Sequence, residues 1–392
     1  FPSFSAGWNL YNEPFWKNIE PYVNTMKIRA SWGQLGNQNI SPYSDLELIP
    51  ISSDKLNWIF NYGSTKPVGY TSAPGLVNRN LTWETATTTN VGVDMSFLNN
   101  RLSATADWFE RRTTDMVGPS QAMPGVLGAN VPRENNSTLR TRGWEISVNW
   151  KQTLENGLSY NIGASLYDYK SVVTKYFNPT GTLSTWYEGA EVGDIWGYTV
   201  NDLFRTKEDL DSYLSKVDLT HIAANWNTGD LKFEDTNNDG KVNNGTNTIG
   251  DHGDLSIIGN DQPHYQYTIN GGVSYKGFDF SMLWKGVAKK DMYFYRMSNI
   301  YWGFTNGWWE SCLTPGHLDY FRDQPGTKYS GLYEGDANIN TDAYWPRPYL
   351  NSTEEAKNKN NANTRYLQNA AYLRLQNVQL GYSFPRSVTS KM

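Results

Sequence analysis

Apolar and polar residues alternate with a period of two in stretch after stretch of this chain. Between Asn90 and Phe109, Val91, Val93, Met95 and Phe97 fall on one face, with Gly92, Asp94 and Ser96 on the other. Past Asn99-Asn100 the pattern resumes, with Leu102, Ala104, Ala106 and Trp108 opposite Ser103, Thr105 and Asp107. Successive side chains of a strand point to opposite sides, so this predicts a hairpin with one apolar face. Asparagine tolerates positive φ and suits the turn. The unit recurs. Trp144, Ile146, Val148 and Trp150 lead through a turn at 153–157 into Leu158, Tyr160, Ile162, Ala164 and Leu166. A third hairpin runs from Tyr265 to Val287 through Lys276-Gly277. Further strands are expected near Phe1, over Lys27–Trp32 and over Tyr372–Phe384, the last with a phase change between Leu375 and Val378 that predicts a bulge. The total is about nine strands.

The connections alternate between short and very long. Stretches 34–82 and 113–141, rich in Asn, Ser, Pro and Gly, are read as loop, and residues 169–264 and 288–370 as long loops of about eighty to a hundred residues. Loops of that length count against a compact soluble domain but are expected on the outside of an outer-membrane barrel. An antiparallel sandwich also alternates apolar and polar residues, yet would not carry such loops. The expected fold class is therefore all-β: a transmembrane antiparallel β-barrel with long extracellular loops.

Composition supports this. The chain is 15% aromatic, with 16 Trp and 26 Tyr, but its mean hydropathy is -0.63. Polar yet aromatic-rich chains suit barrels with a wet lumen and aromatic girdles, or secreted carbohydrate-handling β proteins. A net charge of -5 leaves no electrostatic footprint for nucleic acid. Cys312 is the single cysteine, which rules out an internal disulfide framework. No apolar run is long enough for a transmembrane helix, which does not bear on barrel strands. The chain opens on FPSFSAGW and ends on LGYSFPRSVTSKM, which reads as a fragment.

Several stretches resemble a known family, in order and across nearly the whole chain. They are KIRASWGQLGNQNI, LTWETATTTNVGVDMSFLNNRLSATADWFERRTTDMV, TRGWEISVNW, GDLKFEDTNNDGKV, IIGNDQPHYQYTINGGVSYKGFDFS and AAYLRLQNVQLGYSFP. Each is similar to a segment of the SusC-like TonB-dependent outer-membrane transporters of Bacteroidetes. The resemblance implies the C-terminal half of a 22-stranded barrel, with the N-terminal plug and the final strands absent from residues 1–392. It also implies uptake of glycans or oligopeptides with a SusD-like surface lipoprotein as lid, energy from TonB through the missing N-terminal part, and contact with outer-membrane lipid. Two alternatives stand beside this one: a non-transporting binding or assembly component built on the same barrel, and a secreted glycan-binding β protein.

Three groups of residues are candidate sites. Asp235, Asn237 and Asp239, followed by Gly240 and the Lys241 carbonyl, have the spacing of the first half of a Ca²⁺-binding loop. The twelfth position is Thr246, so Asp251 or Asp254 would have to supply the missing carboxylate. The bland reading is an Asx-rich turn that binds nothing. Aromatics crowd the long loops; Trp302, Trp308, Trp309, Trp186 and Tyr187 are candidate ligand contacts, although most such rings should pack the loops together. Arg29, Asp94, Glu145 and Asp279 fall on the polar face and are expected to look into the lumen, as are Lys27, Asp107, Asn149 and Lys285. No nucleophile elbow, phosphate loop, dinucleotide fingerprint or zinc-protease motif is present, and His221, His252, His264 and His317 lack metal spacing, so no enzyme and no catalytic cofactor is expected.

Overall fold

The computed structural model describes residues 1–38, 40, 44, 46–49, 51–52, 70–71, 74–121, 126, 131–295, 299–303, 312–349 and 352–384. Its main element is a nine-stranded sheet in which every strand is hydrogen-bonded to its neighbour in sequence. The strands are β1 (Ser3–Asn9), β2 (Val23–Asn37), β3 (Glu84–Phe97), β4 (Leu102–Gly118), β5 (Glu134–Thr153), β6 (Ser159–Lys175), β7 (His264–Tyr275), β8 (Phe278–Lys289) and β9 (Tyr372–Tyr382). All pairings are antiparallel, giving an up-and-down wall. Every edge but the two outermost is satisfied by a neighbouring strand, as a backbone crossing lipid requires.

The register carries the alternation across the wall. Ile28, Val93, Ala106, Ile146 and Leu166 lie side by side on one face. Arg29, Gly92, Asp107, Glu145 and Tyr167 occupy the neighbouring row on the other face. Among the described residues nothing covers the apolar face: Ile162 is 58% and Leu380 76% exposed, which suits lipid and not water.

The short turns differ in how they reverse the chain. Lys276 and Gly277 both have positive φ and close a two-residue turn between Tyr275 and Phe278. The β3–β4 turn is longer than the Asn-Asn pair predicts, because Leu98 joins Asn99 and Asn100 in the left-handed region. The predicted bulge in β9 is present: Leu283 faces Asn377 and Trp284 faces Leu375, which leaves Gln376 unpaired.

The strands run further than their apolar pattern. β2 runs on to Asn37, β4 continues to Gly118, β5 begins at Glu134 and β6 reaches Lys175, all inside segments expected to be loop. Beyond the apolar band both faces are polar, so a strand there carries no period-two signal.

The long connections are not structureless either. Residues 176–263 contain the paired strands Asp194–Tyr198 with Leu255–Asn260 and Val200–Leu203 with Leu231–Phe233, together with helix α1 (Lys207–Leu214). Thr206 caps α1 by accepting the Asp209 amide. The second connection carries helix α2 (Ser352–Lys359). The two connections share one core: Leu203, Phe204, Leu231 and Phe233 from the first pack with Trp302, Phe321, Trp345 and Tyr366 from the second. They form an outer domain standing on the long-loop end of the wall.

Candidate functional site: the polar face and the outer domain

The register places Arg29, Asp94, Glu145 and Asp279 on the same face of the wall. Three strands bring the first two of them together with Asp107. The Arg29 guanidinium donates from Nη1 and Nη2 to both Asp107 oxygens at 2.7 Å, and from Nε and Nη2 to Asp94 at 2.9 and 3.1 Å. Such forked contacts are among the stronger charge-assisted hydrogen bonds. Gly92 lies between Arg29 and Asp107 in register, two residues along the strand from Asp94, and a Cβ there would come within 2.3 Å of Asp107 Oδ1 and 2.8 Å of the guanidinium. The glycine is what lets one arginine reach both carboxylates. Glu145 and Asp279 stand on the same face without joining this group. Hydroxyl pairs fill in around it, with Thr25 to Ser96 at 2.5 Å, Thr105 to Ser147 at 2.8 Å and Ser165 to Thr268 at 2.5 Å.

In the outer domain most of the loop aromatics form the core. Trp302 has no exposed surface; its Nε1 donates to the Phe294 carbonyl at 2.6 Å, and its ring packs at 5.1 Å on Tyr366 and 5.9 Å on Trp345. It therefore offers no face to a ligand, and its expected role is corrected to packing. Trp186 is 39% exposed beside Tyr176. Tyr187 is half-buried and accepts from Trp196 Nε1; burial pushes its hydroxyl above the ordinary tyrosine range. Trp308 and Trp309 lie outside the described residues.

The two connections are also joined by buried charge. Asp230 and Lys357 have no exposed side-chain surface and meet at 2.8 Å. Asp230 also accepts from the Asn227 amide at 2.7 Å, the Tyr349 hydroxyl at 2.8 Å and Asn358 Nδ2 at 3.0 Å. Lys357 lies over the rings of Trp226 and Tyr349 as well. Glu355, on the same helix, accepts the Tyr349 amide through Oε2, while its Oε1 is buried with no hydrogen-bond partner among the described residues. Burial pushes its carboxyl up to about 8, against the pull of Lys359. Nearby, burial would raise the Asp323 carboxyl, but hydrogen bonds from Thr228 and Arg347 hold it below the usual range. Arg347 also donates its backbone amide to Gly229 at 2.9 Å. Gly229 has φ +86°, and a Cβ would fall 2.3 Å from the Phe321 ring, so only glycine fits. None of this network was legible in the sequence, because STEEAKNK reads as a solvated helix.

The 235–254 loop is a set of Asx turns. Asp235 accepts the amides of Asp239 and Gly240 at 3.2 and 2.8 Å, Asn237 accepts Asp239 at 2.9 Å, and Asp239 accepts Lys241 at 2.9 Å. Asp254, 1% exposed, accepts the Thr236 and Asn243 amides through its two oxygens at 2.8 and 2.9 Å. Among the described residues no three His, Cys, Asp or Glu side chains are gathered as a metal site. Here the Asp254 carboxylate clamps the loop.

This architecture recurs in known proteins. The chain is 25% identical over 397 residues to a TonB-dependent receptor of Formosa agariphila, covering 98% of this chain and 35% of that protein. It is 24% identical over 400 residues to the TonB-dependent receptor SusC of Bacteroides thetaiotaomicron, covering 98% and 34%. A solved structure of the RagAB peptide transporter superposes with a TM-score of 0.66 at 18% identity, over 99% of this chain and 37% of that one. The RagAB peptide importer in an open-open state gives 0.66 at 18% identity over 98% and 36%. The chain thus spans about a third of the length of the curated relatives it matches. The named relatives are TonB-dependent receptors, not enzymes. Residues 1–276 match the family described as TonB dependent receptor-like, beta-barrel. The chain belongs to that family, as a SusC-like barrel wall of the outer membrane.

Proposed function

We propose that this chain supplies the wall and outer domain of a TonB-dependent importer of glycans or oligopeptides, working beneath a SusD-like surface lipoprotein. The observation that carries the reading is the pairing of a two-faced wall with a folded outer domain. The wall has an uncovered apolar face and, opposite it, a face of hydroxyls, amides and charges suited to a wet lumen. The relative named SusC and the neighbour described as a RagAB peptide transporter support it. In this reading Arg29, Asp94, Glu145 and Asp279 face the lumen, and exposed rings such as Trp186 stand where a captured ligand would pass.

The test is uptake of labelled oligosaccharides and oligopeptides by cells carrying or lacking the intact gene, with and without TonB. Uptake of either class that needs both supports import and names the substrate class. Uptake unchanged by loss of the gene or of TonB would sink it.

We also propose Ca²⁺ at 235–241 on donor spacing alone, with Asp235, Asn237, Asp239, the Lys241 carbonyl and Asp254 as ligands. The loop closes through its own hydrogen bonds, so the ion would stiffen it and not build it. Terbium luminescence excited through nearby aromatic rings and competed by Ca²⁺ supports this reading; no signal removes it.

A further inference from the structure

The apolar face of the wall changes character at its outer end. On β5, Trp150 and Trp144 bound the apolar band with Val148 and Ile146 between them, six residue steps or about 20 Å of extended strand. That is close to the height of the apolar band of outer-membrane barrels, about 25 Å. Trp108 lies opposite Trp144 in the outer row. One row further out on the same face, Glu110 lies opposite Arg142 and Arg142 opposite Lys170. Beyond that, Arg112 lies opposite Arg140 and Arg140 opposite Val172. The tryptophan row is thus followed directly by four cations, at the level where lipid tails give way to head groups.

Their counter-charges can be placed. Glu110 pairs with Arg142, and Glu191 lies 3.0 Å from Lys170. Asp168 is buried against His264 at 2.8 Å. Among the described residues no carboxylate pairs with Arg112 or Arg140. Between the cations and the aromatic row is a groove of about 450 Å³, lined by Trp108, Trp144, Tyr265, Arg140, Arg142 and Lys170, with Asp168 at its side.

We propose that this groove binds the phosphorylated head group of an outer-leaflet lipid. The arginine forks match a phosphate in geometry as well as charge. The indole and phenol rings below suit the amphipathic boundary under the head group. The site is on the lipid side of the wall, opposite the Arg29 group, so it is separate from any passage through the lumen.

The test uses the intact transporter purified from outer membranes into detergent, with diphosphoryl lipid A and the same lipid dephosphorylated as probes, read by native mass spectrometry. The expected result is an affinity about tenfold higher for the phosphorylated probe. That preference is lost in the double variant Arg112→Gln, Arg140→Gln and kept in Arg101→Gln, which is at the opposite rim. Heat-modifiable gel migration shows that each variant is folded. Equal binding of the two probes by the wild type, or a preference that survives in the double variant, would mean a solvated cationic rim and overturn the proposal. Inorganic phosphate binding as tightly as the lipid would make this a free-anion site and overturn it too.

Discussion

The wall and the outer domain solve the burial problem in opposite ways. The wall leaves its apolar face to lipid and its polar face to water, so its side chains make few contacts beyond their own row. The outer domain stands in water and must bury its apolar residues in a closed core, drawn from two connections far apart in sequence. The difference teaches where stability is concentrated. In the wall it lies in backbone pairing and surroundings; in the outer domain it lies in a few large side chains and one buried charge network.

Replacing Trp302 by alanine should have the largest effect. It empties a fully buried site between Tyr366 and Trp345, at a cost of about 4 kcal/mol to the outer domain. Limited proteolysis should then cut within 176–263 and 290–371, while heat-modifiable migration of the wall is unchanged. Loss of both together would show that the regions are not separable. A smaller effect is expected in the wall for Gly92→Val. Its side chain would push Asp107 away from Arg29, costing about 1–2 kcal/mol. The temperature at which the barrel unfolds on a gel should fall by a few degrees, with the outer domain's protease resistance intact. A wall indifferent to Gly92→Val would mean that backbone pairing alone sets its stability.

The smallest effect separates the regions by pH. The folded-state pKa of Glu355 is raised above its unfolded value, mainly by burial. The folded state then holds a proton that the unfolded state has released, so stability is greatest near pH 4.5 and declines as pH rises towards about 8. Glu355→Gln should flatten that decline, with pH 5 stability little changed. A wild-type outer domain whose melting does not fall between pH 5 and pH 8 would remove Glu355 as a titrating group.

Legibility in the sequence followed the same division. The apolar halves of β2 to β9 were readable because lipid on one side and water on the other impose a strict period of two, as in Val91, Val93 and Met95. Even the skipped residue at Gln376 showed as a change of phase. The polar extensions, such as Glu84 to Asn90, were not readable, because water on both faces imposes no period. The outer domain was not readable for a different reason. Trp302 as ligand platform and Trp302 as core look identical in sequence, and only the fold of residues 176–263 against 290–371 decides between them. Lys357 gave no signal at all, since its partner Asp230 is on the other connection.

That interlocking bears on the order of assembly. Each wall strand pairs with the one before it, so the sheet can grow by adding hairpins as they arrive. The outer domain cannot grow this way: the Val200 amide donates to Thr364, 164 positions later. Contacts so distant in sequence form slowly. A chain delivered from its first residue onward leaves Leu203, Phe204, Leu231 and Phe233 half-covered until Trp345 and Tyr366 emerge. The outer domain then closes only after β1 to β8 have had time to pair, and it is the part most in need of protection while it waits.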